Sequence, residues 1–398
     1  MRTRTLWLAG LLMAAMALTP TTVPAQSSLN YEVPPADPVF PFPLYHSRPE
    51  RGGFFLFGEF VLYRQTNPMG HSNVVAQRGL IDFDGSITGR PGTFVGSGQT
   101  ALNTNQLDGP RTYQPGFQIG AGWRFGDGSS VEVSWLHLTK AQYFAVATLV
   151  PPGLQGGPGL VDTFLFSPVF NFPNDYAGPA NDTGVGAPGA TFGVWNAADV
   201  MTIEFDQRTE AAEIKFRKPI HDTETWRCYG LVGPRFFWIW ERFKWRTVDL
   251  DVTGNATPRD VAIYTNIVSN RMYGGFIGVG NECYLGHGFA LSLDLQAALL
   301  LNVVKERARY EPGEKFAGPQ VKRSVTDYTL VPEVQANLNL WWYPIEGVQV
   351  RVGYNVMAFF NTIAAKDPID FNYGGLKPDW DRSNRLFDGL NIGIGFIF

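Results

Sequence analysis

Strict alternation of apolar and polar positions dominates the chain. From Phe289 to Val303 one face carries Phe289, Leu291, Leu293, Leu295, Ala297, Leu299, Leu301 and Val303, and the other Ala290, Ser292, Asp294, Gln296, Ala298, Leu300 and Asn302. From Tyr328 to Trp342 the pattern repeats, with Leu330, Val334, Leu338 and Leu340 set against Thr329, Glu333, Gln335, Asn337 and Asn339. Val348, Val350, Val352, Tyr354 and Val356 alternate with Gln349, Arg351, Gly353 and Asn355. A helix repeats every 3.6 residues, so a period of two predicts strands. These strands are long. About ten residues at about 45° of tilt cross a bilayer, whereas strands of soluble domains usually hold about five or six.

Earlier segments agree. Phe54, Leu56, Phe60 and Leu62 alternate with Glu59 and Tyr63, and Phe117, Ile119, Ala121, Trp123 and Phe125 with Gln118, Gly120, Gly122 and Arg124. Val131, Val133 and Trp135 alternate with Glu132 and Ser134. The stretch from Trp226 to Trp245 is less regular, with Phe236, Trp238 and Trp240 on one face and Arg235 and Glu241 on the other. Between Val200 and Phe216 the pattern slips near Thr209 to Ala212, which predicts a bulge or two strands.

The connections alternate in length. Gly126-Asp127-Gly128, 218–224, Gly286-His287-Gly288 and 343–347 are short turns. Between them run long Gly-, Pro-, Asn- and Asp-rich stretches at 65–114, 144–198, 247–267, 307–324 and 362–384. Short turns at one end and long loops at the other is the layout of an outer-membrane barrel. The expectation is therefore an all-β fold. It is a transmembrane antiparallel up-and-down β-barrel of about ten strands, within limits of eight and fourteen, over residues 51–398 with both termini periplasmic. Trp123, Phe125, Trp135, Trp245, Trp341, Trp342, Tyr343 and Tyr354 fall at strand ends, where interfacial girdles belong. A soluble sandwich would turn its apolar faces to a shared core. Here the inward faces read as polar and Gly-rich, and closure leaves no strand edge in hydrocarbon.

Residues 1–25 read as a secretory signal: Arg2 and Arg4, an apolar Leu6–Leu18 stretch too short to span, and Val23-Pro24-Ala25 before Gln26. Residues 26–50 read as a Pro-rich periplasmic leader. Composition fits an exported barrel. Only 17% of the 398 residues are charged and 14% are aromatic, with 44 glycines and 28 prolines. The formal net charge of −4 excludes the basic footprint of a nucleic-acid binder. A hydrophobic content of 44% excludes global disorder.

The candidate lumen residues are the charged side chains on inward faces: Glu59, Arg124, Glu132, Arg235, Glu241, Asp294, Glu333 and Arg351. Both signs occur, so little charge selectivity is expected. Eight strands are just filled by side chains and sixteen leave an aqueous channel. Ten falls between. The expected function is a porin-like passive pore for small hydrophilic solutes. The alternative is a structural or surface-exposed barrel, serving adhesion or envelope integrity, with a filled lumen. Cys228 and Cys283 lie near the periplasmic ends of one expected hairpin and can pair in an oxidising compartment.

Catalysis is not expected. Nucleophilic chemistry needs a Ser or Cys, a base and an orienting group brought together. His46 falls in the leader, His71 in the first external loop, His221 and His287 in periplasmic turns, and His137 on the outward face near the external rim. Asp249, Asp251, Asp367, Asp370, Asp379 and Asp381 lack the spacing of a calcium loop and read as solvated loop; no cofactor or metal is expected. The apolar stretch 161–172 predicts an extra hairpin or a loop folded into the lumen.

The chain ends with Leu390, Ile392, Ile394, Phe396 and Phe398 on one face. This resembles the terminal strand of bacterial outer-membrane proteins. The resemblance implies an assembly signal read by the barrel-assembly machinery, and a closing partner for the first strand. Together with Gly53-Phe54-Phe55-Leu56-Phe57-Gly58-Glu59-Phe60, Gly116 to Trp123 and Val131 to Leu136, the pattern resembles the Legionella-type major outer-membrane protein family. It also resembles related barrels of planctomycete-like bacteria. That resemblance implies a porin-like role amid outer-membrane lipid.

Overall fold

The computed structural model describes residues 52–66, 74–82, 85, 88–90, 93–107, 113–148, 163–167, 180–181, 192–193, 198–223, 225–250, 253–312, 321–365 and 382–398. The expected signal and leader, His46, His71, Asp251, Asp367, Asp370, Asp379 and Asp381 lie outside the described residues. The strands are β1 (Gly53–Thr66), β2 (Val74–Asp82), β3 (Thr93–Asn103), β4 (Gln114–Arg124), β5 (Ser130–Thr148), β6 (Thr163–Phe166), β7 (Ala180–Asn181) and β8 (Phe192–Gly193). They continue with β9 (Val200–Asp222), β10 (Trp226–Val248), β11 (Val261–Gly286), β12 (Phe289–Pro312), β13 (Val321–Trp342), β14 (Val348–Ile363) and β15 (Arg382–Ile397).

Ten of them close a ring in the order β1, β15, β14, β13, β12, β11, β10, β9, β5, β4. All neighbours run antiparallel, and the last strand pairs with the first from Phe55 opposite Ile397 to Thr66 opposite Leu386. The pleat turns sequence alternation into direction. Leu299, Leu301, Leu330 and Ile392 are exposed, while Leu300, Asn302, Val331 and Asn391 between them are buried.

The short connections close tightly. In the β4–β5 turn the Ser129 hydroxyl and amide donate to Asp127 Oδ1 at 2.6 and 2.9 Å. These bonds hold the Asp127 carboxyl below its ordinary range. Gly128 supplies the left-handed φ of 81° that the turn requires.

The wall is uneven in height. β9 to β13 hold 22 to 26 residues each, whereas β1, β4, β14 and β15 hold 11 to 16. Much of the expected loops 247–267 and 307–324 is therefore strand. The reason is burial: Val261, Ala262, Ile263, Tyr264 and Tyr310 pack out of solvent. At the long-loop end a small sheet, β3-β2-β6, joins the same core. Val75, Ala76, Leu102 and Leu165 pack with Met201, Ile203, Phe205, Phe243 and Trp245. Of the stretch 161–172, the described residues contribute β6, which pairs with β2.

Other expectations shift in detail. β9 is one strand; the bulge lies in its partner β5, between Leu138 and Ala141. The slip in the β9 pattern arises because inward Thr209 and Ala211 and outward Ala212 are all small. Trp245 is fully buried in the core, and Trp341 faces the lumen, so neither belongs to an outer girdle. Gly120 and Gly122 lie under the Phe57 and Phe55 rings of adjacent β1.

Candidate functional site

The lumen is built in layers. At the short-turn end lies a vestibule of about 850 Å³, its mouth included, lined by Glu59, Arg124, Glu132, Lys215, Arg217, Asp294 and Arg351 beside Phe55, Phe57 and Trp341. Six of its charges are paired. Arg351 meets Glu59 and lies over the Phe57 and Trp341 rings. Arg217 Nη2 is 2.8 Å from Asp294 Oδ2. Lys215 Nζ is 2.8 Å from Glu213 and 3.6 Å from Glu132.

Deeper in, Arg235 ties its own strand to three others. Its guanidinium donates to Glu213 Oε2 at 2.7 Å and Glu333 Oε1 at 2.8 Å, bonds Gln296, and rests on the Phe276 ring at 4.4 Å. Beside it a smaller cavity of about 380 Å³ reaches Gln118, Ser134, Gln335 and Asn355.

Above these groups the lumen turns dry. Val61, Tyr63, Leu136, Leu138, Phe237, Ile239, Met272, Leu300, Val331, Met357, Phe359 and Phe387 form one buried cluster. The Phe237 and Phe359 ring centroids lie 4.5 Å apart, and Phe387 lies 6.0 Å from each. β10 and β15 are five places apart in a ring of ten. The Phe237–Phe387 contact therefore joins opposite walls.

A second contact crosses one step higher. Arg385 on β15 pairs with Glu241 on β10, with side chains 1% and 0% exposed. Arg385 also donates to Thr362 Oγ1 at 2.9 Å and the Ile363 carbonyl at 2.8 Å. Glu241 accepts from Gln207 Nε2 at 2.9 Å and the Ala365 amide at 3.0 Å. The chain reaches this position because Asn361 adopts a left-handed φ of 67° where the β14–β15 register shifts. Asn is among the few non-Gly residues that tolerate this conformation. Every donor and acceptor named here has a partner, which burial demands.

All eight sequence-named charges thus lie on the inner face. Glu213, Lys215, Arg217, Arg385 and the dry cluster are additions that the structure makes. Glu213, Lys215 and Arg217 alternate with outward Ile214 and Phe216, a signal legible in the sequence. Arg385 stands at the edge of an expected loop.

Cys228 and Cys283 are free thiols, which corrects the expected pairing. Cys228 stands opposite Asn281, and Cys283 opposite Trp226. A two-residue stagger across antiparallel strands leaves about 7–8 Å between partners, beyond disulfide reach. His137 Nδ1 is 3.3 Å from Glu210 Oε1, between Trp135 and Phe117. His221 packs by Trp226, and His287 occupies a turn with φ 52°. Leu390, Ile392, Ile394 and Phe396 are exposed outward, and the Phe398 ring stacks on Phe54. At the long-loop end the Asp249 carboxyl is pushed up to about 7 by burial and by neighbouring Asp199 and Asp260. Among the described residues no group of three His, Cys, Asp or Glu could hold a metal ion.

A family model described as "Legionella pneumophila major outer membrane protein precursor" matches residues 87–398. No curated protein matches the chain. Among solved structures the chain is similar to the outer membrane protease OmpT of Escherichia coli, with TM-score 0.36 and 8% identity over 87% of this chain and 97% of that one. It is similar to a major outer membrane protein of Thermus thermophilus, with TM-score 0.29 and 12% identity over 87% and 99%. A toluene transporter of P. putida gives TM-score 0.23 and 8% identity over 87% and 90%.

Proposed function

The chain belongs to the family of the Legionella pneumophila major outer membrane protein precursor, and from that premise we propose an outer-membrane barrel that its own side chains hold closed. It serves the envelope through the surface it displays, without a standing pore. One observation carries this reading: side chains from opposite walls meet twice, as Phe237 with Phe387 and as Glu241 with Arg385. Ion transit needs continuous water, and a dry aromatic layer removes it. No catalytic step and no cofactor is assigned.

The porin-like reading for small hydrophilic solutes keeps one supporting observation, the charged vestibule at the short-turn end. It requires the dry layer to part. Swelling of proteoliposomes in isotonic glucose separates the two. The closed barrel leaves swelling at the rate of protein-free vesicles. Rapid swelling that slows with larger sugars establishes the pore instead.

The terminal strand supports recognition by the barrel-assembly machinery. Phe398→Ala is expected to lower the folded, heat-modifiable fraction in outer membranes while the same variant still refolds in detergent. An unchanged fraction in membranes removes that role.

A further inference from the structure

The outward wall of β10–β13 changes character at one height. Along β12 its outward residues are apolar from Leu291 to Leu301. At about 3.3 Å per residue and about 40° of tilt this run rises about 25 Å, the height of a lipid-facing band. Exposed Tyr273 stands opposite Leu301 and exposed Tyr328 opposite Val303, as an interfacial aromatic row should.

Cations follow immediately above. Arg271 stands opposite Val303, Lys305 between Ser269 and Thr326, Arg307 between Ile267 and Ser324, and Lys322 opposite Arg309. Arg307 and Lys322 are exposed, and Arg271 and Lys305 are half-buried. Among the described residues none of these four has an ion-pair partner. Their neighbours are neutralised: Arg242 by Glu204 and Asp206, and Arg309 by Glu311. The opposite wall holds a closed pair instead, Arg64 Nε to Asp388 at 3.1 Å, with the Tyr354 hydroxyl donating to the same carboxylate. A chain of net charge −4 therefore collects unpartnered cations on one outward patch.

We propose that this patch binds the phosphate groups of the outer-leaflet glycolipid. Clustered Lys and Arg at a membrane surface attract anionic headgroups. Arg offers planar, bidentate recognition of phosphate oxygens, and the Ser324 and Thr326 hydroxyls add donors. A lipid fits better than a soluble anion because the cations stand directly on the apolar face of Leu299, Leu301 and Leu330, where acyl chains pack. The inference rests on the outer-membrane barrel of the proposed function, set with its long-loop end facing outward. It does not depend on a closed lumen, so a conducting barrel leaves it standing.

The test titrates purified full-length barrel in dodecylmaltoside, a phosphate-free detergent, with bisphosphorylated lipid A and with its dephosphorylated form, read by native mass spectrometry. The phosphorylated lipid is expected to bind at least ~tenfold more tightly. The variant Arg271→Gln/Lys305→Gln/Arg307→Gln/Lys322→Gln is expected to lose at least ~tenfold of that binding while keeping folded mobility on unheated gels. Should that variant fail to fold, Arg307→Gln, an exposed site, is expected to lose about threefold. Arg64→Gln, on the far wall, leaves binding unchanged. Equal affinity for the two lipids, or undiminished binding by the folded patch variants, overturns the proposal. So does displacement by inorganic phosphate at concentrations matching the lipid.

Discussion

The two halves of the lumen use opposite chemistry to fill the same cylinder. Near the short turns, Glu59, Arg217, Asp294 and Arg351 pair around an open vestibule. Toward the long loops, Phe237, Phe359 and Phe387 meet in a dry cluster, capped by the fully buried Glu241–Arg385 pair. The same ion-pair chemistry therefore carries different weight at the two heights. In the vestibule, water can solvate a charge that loses its partner. Beneath the cap it cannot, and an orphaned charge there faces the desolvation cost in full.

The largest expected contrast follows from that difference. Glu241→Ala strands Arg385 in a dry site and should cost about 3–5 kcal/mol, seen as a lowered urea midpoint for loss of tryptophan fluorescence in detergent. Replacing both partners by apolar residues, Glu241→Leu with Arg385→Met, should recover most of that loss. A Glu241→Ala midpoint equal to wild type would mean that water reaches the cap.

The vestibule should respond more weakly. Lys215→Gln leaves Glu213 still bonded to Arg235 in a site open to water, and should cost roughly 1–2 kcal/mol. A loss as large as that of Glu241→Ala would erase the distinction between the halves.

The smallest effect concerns the long-loop end. Asp249 has its carboxyl raised to about 7 by burial and by Asp199 and Asp260. The folded state then holds a proton that the unfolded chain releases near pH 4. Stability of this segment should accordingly fall as pH rises from about 4 to about 7, and level off above. Hydrogen exchange at Leu250, whose amide donates to Asp199 Oδ2 at 2.6 Å, corrected for intrinsic rates, should show that trend. Asp249→Asn should flatten it, and a variant retaining the wild-type slope would assign the titration elsewhere.

The division into halves is only partly legible in the sequence. Alternation of clearly unlike residues, as along Phe289 to Val303, gives inside and outside directly, because the pleat allows no other reading. It fails where both faces are apolar. In Phe236-Phe237-Trp238-Ile239-Trp240 the outward rings mask the inward Phe237 and Ile239, so the segment reads as irregular instead of as a lumen seal. Phe359 and Phe387 are hidden in the same way, beside Phe360 and Leu386. The small β3-β2-β6 sheet leaves no clear pattern because its strands pair with several register shifts, and its burial comes from residues far away in sequence. The meeting of Arg385 with Glu241 is equally beyond reach, since ring order, not spacing, brings opposite walls together.

The claim of a sealed lumen is tested most directly by planar-bilayer recording of the wild-type barrel and of Phe237→Ala/Phe359→Ala/Phe387→Ala side by side. A sealed lumen leaves the wild type silent and gives discrete conductance steps in the triple variant, whose lost rings open the dry layer to water. Steady, reproducible steps from the wild-type protein would contradict it.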